Sequence, residues 1–161
     1  MTTTEYNKSV DLYSDNIYRF ALKSVRDVNT ANDIVQDAYM RLWQHVKEVD
    51  FKRVKSYLFR ITNNLIIDLY RKNKHFGELL SSGEQLSYVT HGYSDIKEHL
   101  ETALNTLSHI QKTVILLRDY EGYSYDEIGS ITGLTESQVK VYIYRGRKKL
   151  KDFLIKTGVE L

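Results

Sequence analysis

The chain has no proline in its 161 residues, and this absence constrains the fold more than any other feature. Proline interrupts helices because it lacks an amide donor and its ring clashes with the preceding turn. Apolar residues also recur with a period of about 3.6 along most of the chain, whereas no convincing alternation typical of strands is present. The sequence therefore predicts an all-α protein.

Three helices are predicted in the first half. The first runs from about Tyr6 to Ser24. The second begins in the stretch DVNTANDIVQDAYMRLWQHV, where Thr30 and Asp33 provide its cap. The segment EVDFKRV is expected to be a connecting loop, and the third helix follows from about Lys55 to Lys74. The apolar seam of the third helix is expected at Leu58, Ile61, Leu65 and Leu69.

Residues 77–97 break this pattern. They are rich in glycine and serine and have no sustained period, which predicts a flexible linker with a short helical turn around Glu84. The chain is thus expected to form two small helical domains, residues 1–76 and 98–161. Residues 1–76 hold thirteen Lys/Arg against nine Asp/Glu, a net charge of +4, whereas residues 77–99 hold one against four, a net of −3.

Capping signals organise the second half. The stretch DIKEHLETALNTL restarts a helix, and the next helix opens at a capping box of Ser108 and Gln111 and ends before Gly122. Two short helices follow, one opened by Ser124 and Glu127 and the other by Thr135 and Gln138, with Gly133 between them. This spacing predicts a helix-turn-helix unit. Its core is expected to contain Ile128, Leu134 and Val139, with Gly129 where the two helices approach closely.

The last helix concentrates positive charge. Six basic residues and no acidic one lie between Lys140 and Lys151. Favourable interaction with the helix dipole accounts for basic residues in the last turn but not for a cluster that begins early. An inward stripe is predicted at Val139, Ile143, Gly146 and Leu150. The second helix of such a unit enters the major groove of DNA. The residues expected to face DNA are Glu136, Ser137, Gln138, Lys140, Val141, Tyr144, Arg145, Arg147 and Lys148.

The third helix has a second polar face. Arg60, Asn64, Asp68, Arg71 and Lys72 lie opposite its apolar seam. The spacing of Asp68 to Arg71 and Lys72 also suits a local ion pair. Asn64 is a poor helix former that can donate and accept hydrogen bonds, and it is therefore a candidate reader of a nucleic-acid base.

No catalytic or cofactor site is indicated. The histidines at positions 45, 75, 91, 99 and 109 lack metal-ligand spacing, and neither a glycine-rich phosphate loop nor a catalytic carboxylate pair is evident. The chain has no cysteine and no apolar run long enough for a membrane span. The segment MTTTEYNKSVDLYSD does not resemble a secretory signal. We therefore expect a non-enzymatic, cytoplasmic protein without a cofactor.

Two ordered stretches resemble one family. DIVQDAYMRLW followed by SYLFRITNNLIIDLYRK is similar to the second region of bacterial sigma-70-type sigma factors. LSHIQKTVILLRDYEGYSYDEIGSITGLTESQVKVYIYRGRKKL is similar to their fourth region. The order, linker and length resemble those of the extracytoplasmic-function group, which keeps only these two regions. The resemblance implies a factor that binds core RNA polymerase and directs it to promoters.

The resemblance also assigns roles to residues. The polar positions implied to dock on the clamp coiled coil of the largest polymerase subunit are Asp33, Gln36, Asp37 and Arg41. The positions implied to hold and open the −10 element are Phe51, Lys52, Arg53, Lys55, Arg60, Asn64, Asp68 and Arg71. The helix-turn-helix would read the −35 element, mainly through Lys140, Val141, Tyr144 and Arg145. Further implied partners are the flap of the second polymerase subunit and an anti-sigma factor.

Some residues depart from the family pattern. Ser108 replaces a usual proline, Gly129 replaces a usual alanine, and Val141, Tyr142 and Gly146 stand where small polar, basic and alanine residues are commoner. Valine can contact a thymine methyl group but cannot donate a hydrogen bond. These departures suggest an unusual −35 readout, with another DNA-bound protein helping to place the factor. Efficient, specific initiation by the factor and core polymerase alone would exclude such a helper.

Two other functions fit part of the sequence. A helix-turn-helix regulator that binds an operator without entering polymerase explains residues 100–161 but leaves DIVQDAYMRLW and the helix of Asn64 unexplained. Failure to co-purify with core polymerase would favour this regulator. A helical adaptor predicts that reversing the charges of Arg145 and Lys148 leaves DNA binding unchanged.

Overall fold

The computed structural model describes residues 1–74 and 95–158, and all regular secondary structure in these two ranges is helical. Seven α-helices are present there: α1 (Thr3–Val25), α2 (Val28–Gln44), α3 (Val54–Lys72), α4 (Asp95–Leu104), α5 (His109–Ile115), α6 (Tyr125–Thr132) and α7 (Glu136–Lys156). The prediction of an all-α protein is confirmed. The chain divides into two compact units, the first with α1 to α3 and the second with α4, α5, α7 and most of α6.

In the first unit, α1, α2 and α3 pack against one another around an apolar core. Ile17, Leu42 and Leu58 are fully buried there. The rings of Phe20 and Phe59 meet edge to face with their centroids 5.3 Å apart, an arrangement that aromatic pairs favour. This core fixes the helices, so that the side chains on their outer faces have defined positions.

The start of α2 corrects one sequence prediction. Its cap is Asp27, whose carboxylate accepts hydrogen bonds from the backbone amide of Thr30 at 2.9 Å and from the hydroxyl of Thr30 at 2.6 Å. Thr30 and Asp33 lie inside the helix rather than capping it. The helix begins earlier because Arg26, with φ 59°, reverses the chain directly after α1, and Asp27 is the first residue able to cap the next helix.

Two further details differ around α3. The expected loop contains a 3₁₀ turn at Phe51–Arg53, in which Asp50 accepts a hydrogen bond from the amide of Lys52 at 3.1 Å. Leu65 and Leu69 are only half-buried. The buried positions of α3 are Val54, Leu58, Phe59, Ile61, Thr62, Asn63 and Ile66.

In the second unit, most of the predicted caps are observed. Ser108 and Gln111 form a reciprocal capping box, as do Thr135 and Gln138, and Ser124 accepts a hydrogen bond from the amide of Glu127 at 3.1 Å. Between α5 and α6 the chain continues through a π-helical turn, Leu116–Tyr120, which the sequence did not reveal. Gly133, with φ 79°, ends α6. These caps confirm the helix-turn-helix geometry of α6 and α7.

Glycine permits close approach at two places in this unit. A Cβ atom on Gly129 would lie 2.8 Å from the carbonyl oxygen of Leu134, and one on Gly146 would lie 2.5 Å from Cδ1 of Ile115. Val139 and Ile143 are buried as predicted. Leu150 is only half-buried, and Leu154 occupies the buried position one turn further on.

The predicted linker lies outside the described residues as far as position 94, as does the turn expected around Glu84. Among the described helices, none combines the length and apolar character needed to cross a membrane.

Candidate functional surfaces

The exposed side of α7 carries one continuous stripe, which we call the α7 outer stripe: Ser137, Val141, Tyr144 and Lys148. Its members are four, three and four residues apart, so they fall on one line of an α-helix. All four are exposed, whereas Val139, Ile143 and Gly146 on the other side are buried. The buried side fixes the helix and leaves the stripe available to a partner.

The polar groups near the start of α7 are already engaged with neighbours. Gln138 accepts a hydrogen bond from the amide of Thr135 at 2.9 Å and completes the capping box. Lys140 lies 3.5 Å from the carboxylate of Glu136 and 5.7 Å from the ring centroid of Tyr125. An exposed ion pair of this kind is weak, so Lys140 can exchange Glu136 for a phosphate.

Arg147 has a stronger partner, which the sequence did not reveal. Its guanidinium binds the carboxylate of Asp119 through two nitrogens, at 3.2 and 2.5 Å. These hydrogen bonds raise the pKa of Arg147 above its usual value. A DNA phosphate must therefore compete with the carboxylate of Asp119 if Arg147 is to bind DNA as predicted. Asp119 lies 28 residues away in the π-helical turn, and no local signal in the sequence connects the two residues.

The polar face of α3 is exposed as the sequence predicted. Arg60, Asn64, Asp68 and Arg71 all point outward. The neighbouring Asn63, in contrast, is buried. Adjacent asparagines on α3 thus have opposite environments, and only Asn64 is available to a base from outside.

The turn before α3 divides the residues predicted there into two groups. Lys52 and Arg53 are exposed. Phe51 and Lys55 are half-buried towards α1: Nζ of Lys8 lies 5.6 Å from the Phe51 ring, and Nζ of Lys55 lies 6.0 Å from the Tyr13 ring. The geometry makes Lys52 and Arg53 the more accessible pair for nucleic acid.

The outer face of α2 combines charge with exposed apolar area. The predicted residues Asp33, Gln36, Asp37 and Arg41 are all exposed. Met40 is 58% exposed and Trp43 is 49% exposed next to these residues. The ring of Trp43 packs edge to face on the ring of Tyr6, with the ring centroids 5.0 Å apart. Large apolar side chains with a polar rim are typical of protein-binding surfaces. The sequence analysis did not include Met40 and Trp43 among the candidate binding residues.

No group of three or more histidine or acidic side chains suited to a metal lies within residues 1–74 or 95–158.

Comparison with known proteins agrees with this division into two units. The model of sigma-70 region 2 matches residues 10–76, and that of sigma-70 region 4 matches residues 97–150. The extracytoplasmic-function RNA polymerase sigma factor SigW of Bacillus subtilis is 30% identical over 158 residues, covering 88% of this chain and 84% of the relative. The chain belongs to the sigma-70 family. It is a sigma factor of the extracytoplasmic-function group.

Two more comparisons define the extent of the likeness. The sigma factor is 27% identical over 164 residues to the extracytoplasmic-function sigma factor SigE of Mycolicibacterium smegmatis, covering 96% of this chain but 63% of that longer relative. In fold it is similar to the sigma factor RpoE in its co-crystal structure with the anti-sigma factor NepR from Bartonella quintana. The TM-score is 0.79, with 24% identity and coverage of 94% of this chain and 98% of the other.

Proposed function

We propose that this sigma factor binds core bacterial RNA polymerase and directs it to specific promoters. The observation that carries the proposal is the presence of three exposed faces on two packed units: the mixed apolar and polar face of α2, the polar face of α3 and the outer stripe of α7. An operator-binding regulator needs only the last of them. Such a role is one of binding rather than catalysis, and it places the protein in the bacterial cytoplasm, where polymerase works.

In this proposal the α2 face docks on the clamp coiled coil of the largest polymerase subunit. Met40 and Trp43 provide apolar area at its centre. Asp33, Asp37 and Arg41 are exposed and fall together on one side of Met40, where they give the contact its orientation. Buried apolar anchors supply most of the affinity of such interfaces, whereas charges at the rim steer association and select the partner.

The α3 face and the preceding turn engage the −10 element. Opening a duplex costs unstacking energy, which the capture of an extruded base offsets. Asn64 is exposed on α3 and can hydrogen-bond a base edge through its amide. Lys52 and Arg53 are exposed nearby in sequence and suit phosphates of the separated strand.

The second unit binds upstream. The α7 helix enters the major groove at the −35 element, with Arg145 and Lys148 on phosphates. The second domain also meets the flap of the second polymerase subunit.

Regulation by an anti-sigma factor is part of the same proposal. Of two structures with similar folds, one shows the sigma factor RpoE bound to the anti-sigma factor NepR, and the other shows CnrH bound to the cytosolic domain of CnrY. A further DNA-bound protein that helps to place the factor remains a hypothesis based on Val141 and Tyr142.

The α2 contact can be tested by charge reversal. We expect Asp37→Lys to weaken binding to core polymerase by about tenfold or more, since it places the wrong charge at the rim of the interface. The measurement is fluorescence anisotropy of the labelled chain titrated with core polymerase.

Asp15→Lys is the matched control, because Asp15 is an exposed acidic residue of α1 that pairs with Arg19 at 3.3 Å. It should leave the affinity unchanged. Equal effects of the two variants would show that α2 is not the docking surface, and no binding by the unmodified chain would refute the proposed function.

A further inference from the structure

The centre of the α7 outer stripe is apolar, which is unusual for a helix that contacts DNA. Val141 is 43% exposed and Tyr144 is 70% exposed. They are three residues apart on the same line of the helix, about 4.5 Å along its axis. Neither side chain is needed for the core, because the buried side of α7 is formed by Val139, Ile143, Gly146 and Leu154.

Basic residues flank this apolar centre on both sides. With 100° between successive residues, Lys140 and Arg147 fall on one side of the stripe, and Arg145 and Lys149 fall on the other. All four are exposed. This distribution suits a helix in the major groove, since its two flanks then face the phosphates of the two strands while its centre faces the floor of the groove.

Two of the side chains that could read bases at this end of α7 have partners within the helix and its cap. The side-chain oxygen of Gln138 accepts a hydrogen bond from the amide of Thr135, and Glu136 pairs with Lys140 at 3.5 Å. Val141, at the centre, has neither a donor nor an acceptor. The only base feature in the major groove that an aliphatic side chain recognises favourably is the methyl group of thymine.

We infer that this sigma factor reads its −35 element through thymine methyl groups, which contact Val141 and the ring of Tyr144. Because the two side chains are about 4.5 Å apart along the helix axis and successive base pairs are about 3.4 Å apart, the two methyl groups belong to neighbouring A·T pairs. Lys140 and Arg145, which flank the stripe, supply affinity without distinguishing bases. This inference rests on the proposed function and specifies the DNA that it selects.

The experiment uses holoenzyme reconstituted from the whole chain and core polymerase. Promoter fragments randomised over the −35 hexamer are bound, recovered and sequenced, and the enriched fragment is resynthesised with deoxyuridine in place of each thymidine in turn. Deoxyuridine removes only the methyl group. We expect about fourfold weaker binding for each contacted methyl, the effect of losing one buried apolar carbon.

Two variants locate the effect. Val141→Ala is an exposed change that a helix tolerates well. At the one thymidine whose methyl group contacts Val141, this variant should bind the thymidine and deoxyuridine fragments with equal affinity. Arg145→Ala is the comparison variant: it should weaken binding to both fragments alike and preserve their ratio, because it removes a phosphate contact.

Equal binding of thymidine and deoxyuridine fragments by the unmodified holoenzyme would overturn the inference and leave the proposed function intact. Enrichment of a hexamer without A·T pairs would do the same. If holoenzyme enriched no sequence beyond core polymerase alone, both the inference and the proposed function would be wrong.

Discussion

His109 begins α5 with both ring nitrogens buried. Burial and, to a smaller extent, the positive charge of Lys112 together lower its pKa to about 4. Lys112 is itself held in place by a hydrogen bond to Asn105 at 2.9 Å. The folded chain therefore keeps this imidazole neutral at pH values where an unfolded chain protonates it.

This difference makes the second unit sensitive to acid. An unfolded histidine gains a proton near pH 6.5 and the folded one only near pH 4, so the unfolded state binds more protons between these values. Stability is complete above about pH 6.5 and falls as the pH drops towards 4, by on the order of 2–3 kcal/mol. Urea unfolding at pH 7.5 and 4.5 measures the loss.

His109→Gln should reduce that pH dependence. His45→Gln is the control, because His45 is exposed and lies 3.2 Å from Glu48 on the surface. If both variants kept the full dependence of the unmodified chain, other groups would cause it and the role assigned to His109 would be wrong.

Gly133 lies in the turn between α6 and α7 and has a left-handed backbone conformation, with φ 79°. A side chain in this left-handed conformation costs about 1–2 kcal/mol, so Gly133→Ala should lower the unfolding free energy of the second unit by that amount. Gly158 has nearly the same φ, 81°, but it follows α7 rather than joining two packed helices. Gly158→Ala should therefore cost less in urea unfolding, and an equal cost would contradict this view of the turn.

At the scale of helices, the sequence predicted what depends on local chemistry. The boxes Ser108–Gln111 and Thr135–Gln138 connect residues three apart, and they appear as predicted. The 3.6-residue period and these capping signals together predicted the seven α-helices of the described residues. The predicted cap of α2 was wrong because Arg26 adopts a left-handed conformation that few non-glycine residues show. The residue type does not predict this conformation.

The features that sequence reasoning missed depend on contacts between distant residues. The π-helical turn and the Arg147–Asp119 pair connect α7 to the end of α5 across 28 residues. Likewise, the exposure of Met40 and Trp43 follows from how α2 packs on its neighbours. An amphipathic pattern gives the direction of a helix face but not which large side chains stay outside.

The α3 face supports a prediction about promoter opening. Asn64→Ala should reduce heparin-resistant open complexes by about three- to tenfold, the effect of one lost hydrogen bond, without weakening the affinity for core polymerase. Asn7→Ala is the matched control, since Asn7 is an exposed asparagine of α1. Normal open-complex formation by Asn64→Ala would remove Asn64 from the −10 interface.

At the scale of the whole molecule, the net charge is a modest +2, although residues 1–76 alone carry +4. In our proposal, the first unit presents a surface for a protein and one for melted DNA, and the second presents a basic helix for duplex DNA. The sequence predicted this division because each unit has its own helical pattern, and the two family regions match in the same order. The assignment of individual side chains to partners stays a prediction.

Run-off transcription on genomic fragments tests the central claim most directly. Core polymerase reconstituted with this sigma factor should produce discrete transcripts from a small set of promoters, and core polymerase alone should not. Efficient initiation in this minimal system would also exclude the need for a helper protein. If the chain bound DNA fragments yet neither bound polymerase nor changed its transcripts, it would be an operator-binding regulator, and the account given for α2 and α3 would be wrong.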